Sequence, residues 1–224
     1  MQRLLVADLV YPPVIVLVKT LWKVLGLRFD FSGAENIPRK DGAILAINHV
    51  SYLDFAITGT AALPANRYVR FMAKKEIFAN KLAGPLMRGM HHISVDRSSG
   101  SASFVAALRA LKAGEIIGIF PEGTTSTSFE IKELKSGAVR LAMGAGVPII
   151  PVGIGGSERV MPKGSKMIYP RKCVVIIGKP IETVMNGTAR LPRSALKGLS
   201  SNLSDELQRL FDEAQRLAGR PNNY

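Results

Sequence analysis

One cysteine, one tryptophan and three histidines in 224 residues leave little material for several kinds of chemistry. A lone cysteine, Cys173, excludes an internal disulfide framework and a cysteine-rich metal site. It opens the apolar run from Cys173 to Ile177 and reads as a small buried hydrophobe, not a reactive thiol. His49, His91 and His92 show no metal-ligand spacing with one another, with acids or with Cys173, so no metal is expected. Walker A, G-x-S-x-G and complete G-x-G-x-x-G signatures are missing, and no internal repeat is visible. Acids are scarce too: 17 Asp and Glu stand against 30 Lys and Arg, for a formal charge of +13.

That surplus asks for an anionic partner, and it is unevenly placed, with nine Lys/Arg against two acids in residues 151–200. Nucleic acid, an anionic membrane surface and a polyanionic small molecule such as coenzyme A are the candidates. The basic residues lack interleaved aromatics or a recognisable nucleic-acid motif, which argues against the first. Hydrophobic residues at 47% with 21% charged residues describe a globular chain, and the length suits one domain with a small appendage.

The appendage is the most apolar stretch. Residues 1–27 hold few polar side chains after Arg3, and Pro12-Pro13 divide them. Proline suits a first helical turn, so a helix is expected over residues 14–25. At ~1.5 Å per residue it would be about 18 Å long, too short for a hydrocarbon core of about 30 Å. Lys19 and Lys23 share one face and Trp22 suits an interface anchor, so the segment reads as a helix lying in a membrane interface. A helix packed on the domain core is the alternative. Asp8 and the lack of a small-x-small site argue against a signal peptide.

Beyond it, strand-like runs alternate with helical ones. Strands are expected at residues 29–31, 43–47, 68–73, 93–95, 115–120, 149–154 and 174–177. Helices are expected at 52–62, 84–90, 102–112, 138–143 and 199–217, and residues 159–172 read as a basic loop. The fold class that follows is an α/β sandwich, a largely parallel or mixed central sheet flanked by helices. Sites in such sheets lie at the carboxyl ends of strands. His49, Lys74, Arg97 and Glu122 each follow a strand candidate, although strand order decides whether they meet.

Residues 43–55, AILAINHVSYLDF, carry the sharpest chemical pattern. An apolar run stops at Asn48-His49, and Ser51-x-x-Asp54 then opens a helix in the manner of a capping box. An acid at the third helical position reaches back toward the helix start, so Asp54 comes within reach of His49. An imidazole held by a carboxylate is a general base of fixed tautomer. On this stretch alone a capping aspartate beside an ordinary loop histidine remains equally open.

A second stretch, Phe120-Pro121-Glu122-Gly123-Thr124, shifts the balance. With His49-x4-Asp54, with His92-Ile93-Ser94-Val95-Asp96-Arg97 and with Val147-Pro148-Ile149-Ile150-Pro151-Val152, it makes four blocks in order. Together they resemble the glycerolipid acyltransferase family over roughly residues 43–155. One position departs: where the family usually has arginine after the threonine of the third block, this chain has Thr125. The resemblance implies residues 28–224 as an acyltransferase domain, with His49 as base and Asp54 orienting it. It implies Lys74, Arg97, Glu122, Gly123 and Thr124 around the substrates, with Arg97 on an acceptor phosphate and Glu122 orienting Arg97 or a substrate hydroxyl. The acyl donor would be acyl-CoA or acyl carrier protein, with no cofactor, and the acceptor a lysophospholipid, with lysophosphatidate becoming phosphatidate. The place would be peripheral or monotopic on the cytoplasmic face of a membrane. Acylation of another lipid-linked hydroxyl, such as glycerol 3-phosphate or a glycolipid sugar, is the alternative within the class. A non-catalytic basic module binding membrane or nucleic acid is the alternative outside it.

Overall fold

The computed structural model describes residues 9–96, 100–126, 128–131, 133–162, 164–165, 167–183 and 193–219. Seven strands form one sheet: β1 (Arg28–Ser32), β2 (Ala43–Ile47), β3 (Val69–Lys74), β4 (Ile93–Val95), β5 (Ile116–Ile119), β6 (Ile149–Gly155) and β7 (Lys172–Ile177). Their spatial order is β1-β7-β6-β2-β5-β3-β4. From β6 to β4 every neighbouring pair is parallel. β7 runs antiparallel to β6 and carries β1 beside it as an edge. The sheet is therefore mixed, with a five-stranded parallel half.

Helices cover both faces: α1 (Tyr11–Val24), α2 (Asp54–Ala61), α3 (Lys75–Ala79), α4 (Ala83–Gly89), α5 (Ser101–Lys112), α6 (Gly137–Ala145), α7 (Ser157–Val160) and α8 (Arg193–Leu217). β2 shows why its sequence is a continuous apolar run. Ala43, Leu45 and Ile47 join Ile57, Ala61 and Trp22 on one face, while Ile44 and Ala46 meet Leu111, Val139 and Leu207 on the other. A strand covered on both sides has no polar alternation. α8 seats Leu203, Leu207, Leu210, Phe211 and Ala214 inward, a helical period. It approaches β6 so closely that a Cβ on Gly153 would stand 2.4 Å from the Leu210 carbonyl carbon.

The N-terminal helix begins at Tyr11, one turn earlier than the proline pair suggested, with both prolines in its first turn. Trp22 is no interface anchor. It is buried, packs at a tilt against Phe29 with centroids 4.3 Å apart, and belongs to the core cluster of β2 and β6. Tyr11 is also held, its hydroxyl donating to the Val69 carbonyl at 2.6 Å. The opposite face is bare: Val16, Leu17 and Val24 are 64%, 67% and 77% exposed. Among the described residues no helix is long and apolar enough to cross a membrane. α3 opens at Lys75, at the strand-to-helix transition that Lys74-Lys75-Glu76 suggested, whereas α7 was not anticipated, because one turn is too short to show a period. The C-terminal tail beyond residue 219 lies outside the described residues.

Cys173 is fully buried, and burial pushes its thiol well up. His92 is a structural histidine whose Nδ1 accepts the Phe71 backbone N–H at 3.1 Å. Burial, then Arg70, then His91, lower its pKa from 6.5 to about 4. The unfolded chain therefore takes up a proton between those values that the folded chain does not. Stability is full above pH 6.5 and is lost as pH falls toward 4, by about 3 kcal/mol. His92→Gln, which keeps an acceptor, is expected to remove that pH-dependent part. Denaturant unfolding at pH 7.5 and 4.5 measures it, and an unchanged pH dependence would refute the assignment.

Candidate active site

Directly after β2 the chain turns around one carboxylate. Asp54, the first residue of α2, is fully buried. Its Oδ2 accepts the backbone N–H groups of Val50 and Ser51, each at 2.8 Å, and faces His49 Nδ1 at 3.0 Å. Its Oδ1 accepts the Ser157 hydroxyl at 2.6 Å. A carboxylate only accepts, so Nδ1 is the imidazole nitrogen that carries the proton and Nε2 is left bare. The capping box is half formed: Asp54 reaches back to the Ser51 N–H, but the Ser51 hydroxyl takes the Leu53 N–H at 3.4 Å and donates to the Met161 carbonyl.

His49 is fixed from further sides. Its ring stacks on Phe120 with centroids 4.1 Å apart. Its backbone N–H donates to Glu122 Oε1 at 3.0 Å, and its carbonyl accepts the Ser126 N–H at 2.6 Å. The preceding Asn48 is fully buried and extends β2 by one side chain, exchanging bonds with the Ile154 N–H and carbonyl of β6. Nε2 points at Thr125, whose hydroxyl donates to it at 3.0 Å. Asp54, His49 and Thr125 thus stand in line, with the open end of the imidazole engaged by a hydroxyl. Such a nitrogen can take a proton from an alcohol that moves into the same place.

The parallel half of the sheet explains why these groups meet. β2, β5 and β3 are successive neighbours, so the residues after each strand share one edge. His49 follows β2, Glu122 follows β5, and Lys74 ends β3. Arg97, two residues beyond β4, lies outside the described residues. Of the paired lysines, Lys75 bonds Asp96 at 2.7 Å, whereas Lys74 is exposed and has no ion pair among the described residues. Glu122 is buried with one oxygen on the His49 N–H, so it clamps the histidine loop. Gly123 adopts φ 73°, a left-handed conformation that favours glycine, and Thr124 is exposed.

Sequence reasoning missed three members of the site. Ser157 lies 103 residues from the carboxylate it bonds, and only the end of β6 brings it there. Lys135 returns to the third block, its N–H donating to the Pro121 carbonyl at 3.0 Å. Thr125 was read only as an absent arginine, although its hydroxyl faces His49 Nε2. No local periodicity marks any of the three.

Comparison with known proteins names the class. A family model described as Acyltransferase matches residues 28–155. The chain belongs to the acyltransferase family. It is 32% identical over 185 residues to the 1-acyl-sn-glycerol-3-phosphate acyltransferase of Bacillus subtilis, covering 82% of this chain and 88% of that one. A chloroplastic 1-acyl-sn-glycerol-3-phosphate acyltransferase of Arabidopsis thaliana is 31% identical over 72% of this chain, which spans 47% of that longer protein. The crystal structure of the 1-acyl-sn-glycerophosphate acyltransferase of Thermotoga maritima superimposes with a TM-score of 0.73 at 25% identity, covering 94% of this chain and 80% of that one. The protein is an enzyme, an acyltransferase, and its α/β fold is that of the Thermotoga protein.

Three substitutions grade the Asp54–His49 pair. His49→Ala in the acyltransferase is expected to cost of order 10²–10⁴ in turnover with the fold intact. Asp54→Asn can keep its oxygen toward the His49 loop and turn its amide to Ser157, so it should retain geometry and a small residual activity. Ser157→Ala leaves a buried carboxylate oxygen without its donor and should cost about 1–3 kcal/mol of stability. Turnover and thermal melting on the three purified variants test this, and near wild-type turnover of folded His49→Ala would sink the general-base role.

Proposed function

We propose that this enzyme moves a fatty acyl chain from an acyl thioester to the free hydroxyl of lysophosphatidate, making phosphatidate at a membrane surface. The observation that carries the mechanism is the line from buried Asp54 through His49 Nδ1 to a bare Nε2. A hydroxyl is a poor nucleophile at neutral pH, so its transfer chemistry needs a base where its proton leaves. The acceptor hydroxyl takes the place that Thr125 Oγ1 now holds, gives its proton to Nε2 and attacks the thioester carbonyl. The new C–O bond forms, the C–S bond breaks, and the imidazolium returns the proton to the leaving thiolate. Asp54 stabilises that imidazolium and keeps the ring's tautomer. The donor is acyl-CoA or acyl carrier protein, and no cofactor or metal takes part. The names of the relatives from Bacillus subtilis, Arabidopsis thaliana and Thermotoga maritima support the acceptor.

One observation favours a second reading within the class. Thr125 replaces the family's arginine, so a less phosphate-dependent acceptor, another lipid-linked hydroxyl, is the alternative. A panel of acceptors with one labelled acyl thioester, read by mass spectrometry of the product, decides between them. Phosphatidate should dominate; a product without the phosphate would favour the alternative.

With a lipid acceptor, the reading extends to a peripheral or monotopic protein on the cytoplasmic face of a membrane. Supporting this are the bare Val16, Leu17 and Val24 of α1, with exposed Lys19 and Lys23 beside them. α4 adds exposed Leu86, and its Gly89 abuts Val10 at the start of α1. α1 therefore serves as an interfacial segment whose inner side is anchored by Tyr11 and Trp22.

Two predictions follow from the mechanism and the surface. Thr125→Ala should keep turnover within about tenfold of wild type, since a single hydrogen bond to the resting base is lost. A loss as deep as that of His49→Ala, with an acyl adduct on wild-type Thr125 by mass spectrometry, would replace direct attack by a covalent route. Leu17→Glu with Val24→Glu should lower sedimentation with phosphatidylglycerol vesicles at least tenfold, given about 1.5–3 kcal/mol per buried aliphatic side chain. The melting temperature should hold, because both residues are exposed; unchanged sedimentation would remove α1 from the membrane contact.

A further inference from the structure

We propose that Lys135 is the cation that receives the acceptor's phosphate, seated on Gly123 in place of the arginine that Thr125 replaces. The inference rests on the acyl-transfer reading above. The third block turns at Gly123, and a Cβ there would stand 2.8 Å from Lys135 Nζ, 2.9 Å from its Cε and 3.3 Å from its Cδ. The end of the lysine therefore lies across the space that any other residue at 123 would fill. The root of Lys135 is fixed as well, by its N–H on the Pro121 carbonyl. A long flexible side chain is thus fixed at its root and lies with its tip over one turn.

That turn is the one that handles the base. Glu122 binds the His49 backbone and Thr125 binds His49 Nε2, on either side of Gly123 and Thr124. Among the described residues no carboxylate pairs with Lys135, whereas Lys75 and Lys172 are taken by Asp96 and Asp30. An ammonium without such a partner, lying over the turn whose Thr125 hydroxyl bonds His49 Nε2, suits a phosphomonoester carrying a free hydroxyl. Lysophosphatidate and glycerol 3-phosphate share that chemistry. A lysine is a point charge with rotatable donors, so it needs no fixed fork to meet a phosphate.

The test uses the full chain, with Lys135→Met to remove the charge and Lys135→Gln as a second neutral variant should the first melt early. Acceptor KM is measured for lysophosphatidate and for uncharged monoacylglycerol, with donor KM alongside. Binding of glycerol 3-phosphate is measured by calorimetry. Loss of Lys135 should raise the lysophosphatidate KM roughly tenfold to a hundredfold, leave the monoacylglycerol and donor KM unchanged, and weaken glycerol 3-phosphate binding at least tenfold. Equal shifts for both acceptors, or none, overturn the proposal while leaving acyl transfer intact. If wild type acylates neither acceptor, the acyl-transfer reading falls. Lys135-dependent glycerol 3-phosphate binding would then still support the anion site, and Lys135-independent binding would overturn it.

Discussion

A single buried carboxylate organises this active site. Asp54 accepts four hydrogen bonds, from two successive backbone N–H groups, from His49 and from Ser157. Burying an ion is costly unless its lone pairs are met, and here they are met by the groups that function requires. The same oxygen that closes the turn after β2 orients the imidazole. The other oxygen ties that turn to the end of β6. The backbone and Ser157 donors thus hold the local fold and the orientation of His49 through the same carboxylate.

The sheet supplies the second constraint. A parallel array has all its strand ends of one kind on one edge, so loops distant in sequence become neighbours. The His49 loop and the third block are adjacent because β2 pairs with β5. The bonds between Glu122 and His49 and between Ser126 and His49 then join them as one unit. Phe120 completes the joint by covering the imidazole face. β6, paired with the other side of β2, delivers Ser157 to the same edge.

The N-terminal helix shows a balance of a different kind. Tyr11 and Trp22 bind it to the sheet, yet its outer side keeps large apolar residues in the open. A helix with one face in a core and another bare is neither a spanning segment nor an ordinary surface helix. Of the two readings offered by the sequence, the packed helix holds for the inner face, and the proposed membrane contact rests on the bare outer one.

The sequence by itself determined the class of the fold and the chemical pair. Apolar runs of strand length alternating with helical periods place every strand and four of the helices within two residues, while α1 begins three residues and α8 six residues earlier than expected, and the spacing from His49 to Asp54 is a local fact about one turn. Local spacing also foretold that Glu122 and Lys74 stand at strand ends. Only the tertiary structure decided which strand ends touch, because strand order depends on long-range pairing that no window of residues contains. It turned Trp22 inward, made Glu122 a clamp on the histidine loop, put the Thr125 hydroxyl on Nε2 and brought Ser157 and Lys135 into the site. Each of those contacts joins residues separated by a strand or a long loop, and such pairings follow from packing a sheet between two layers of helices rather than from any periodicity in the chain.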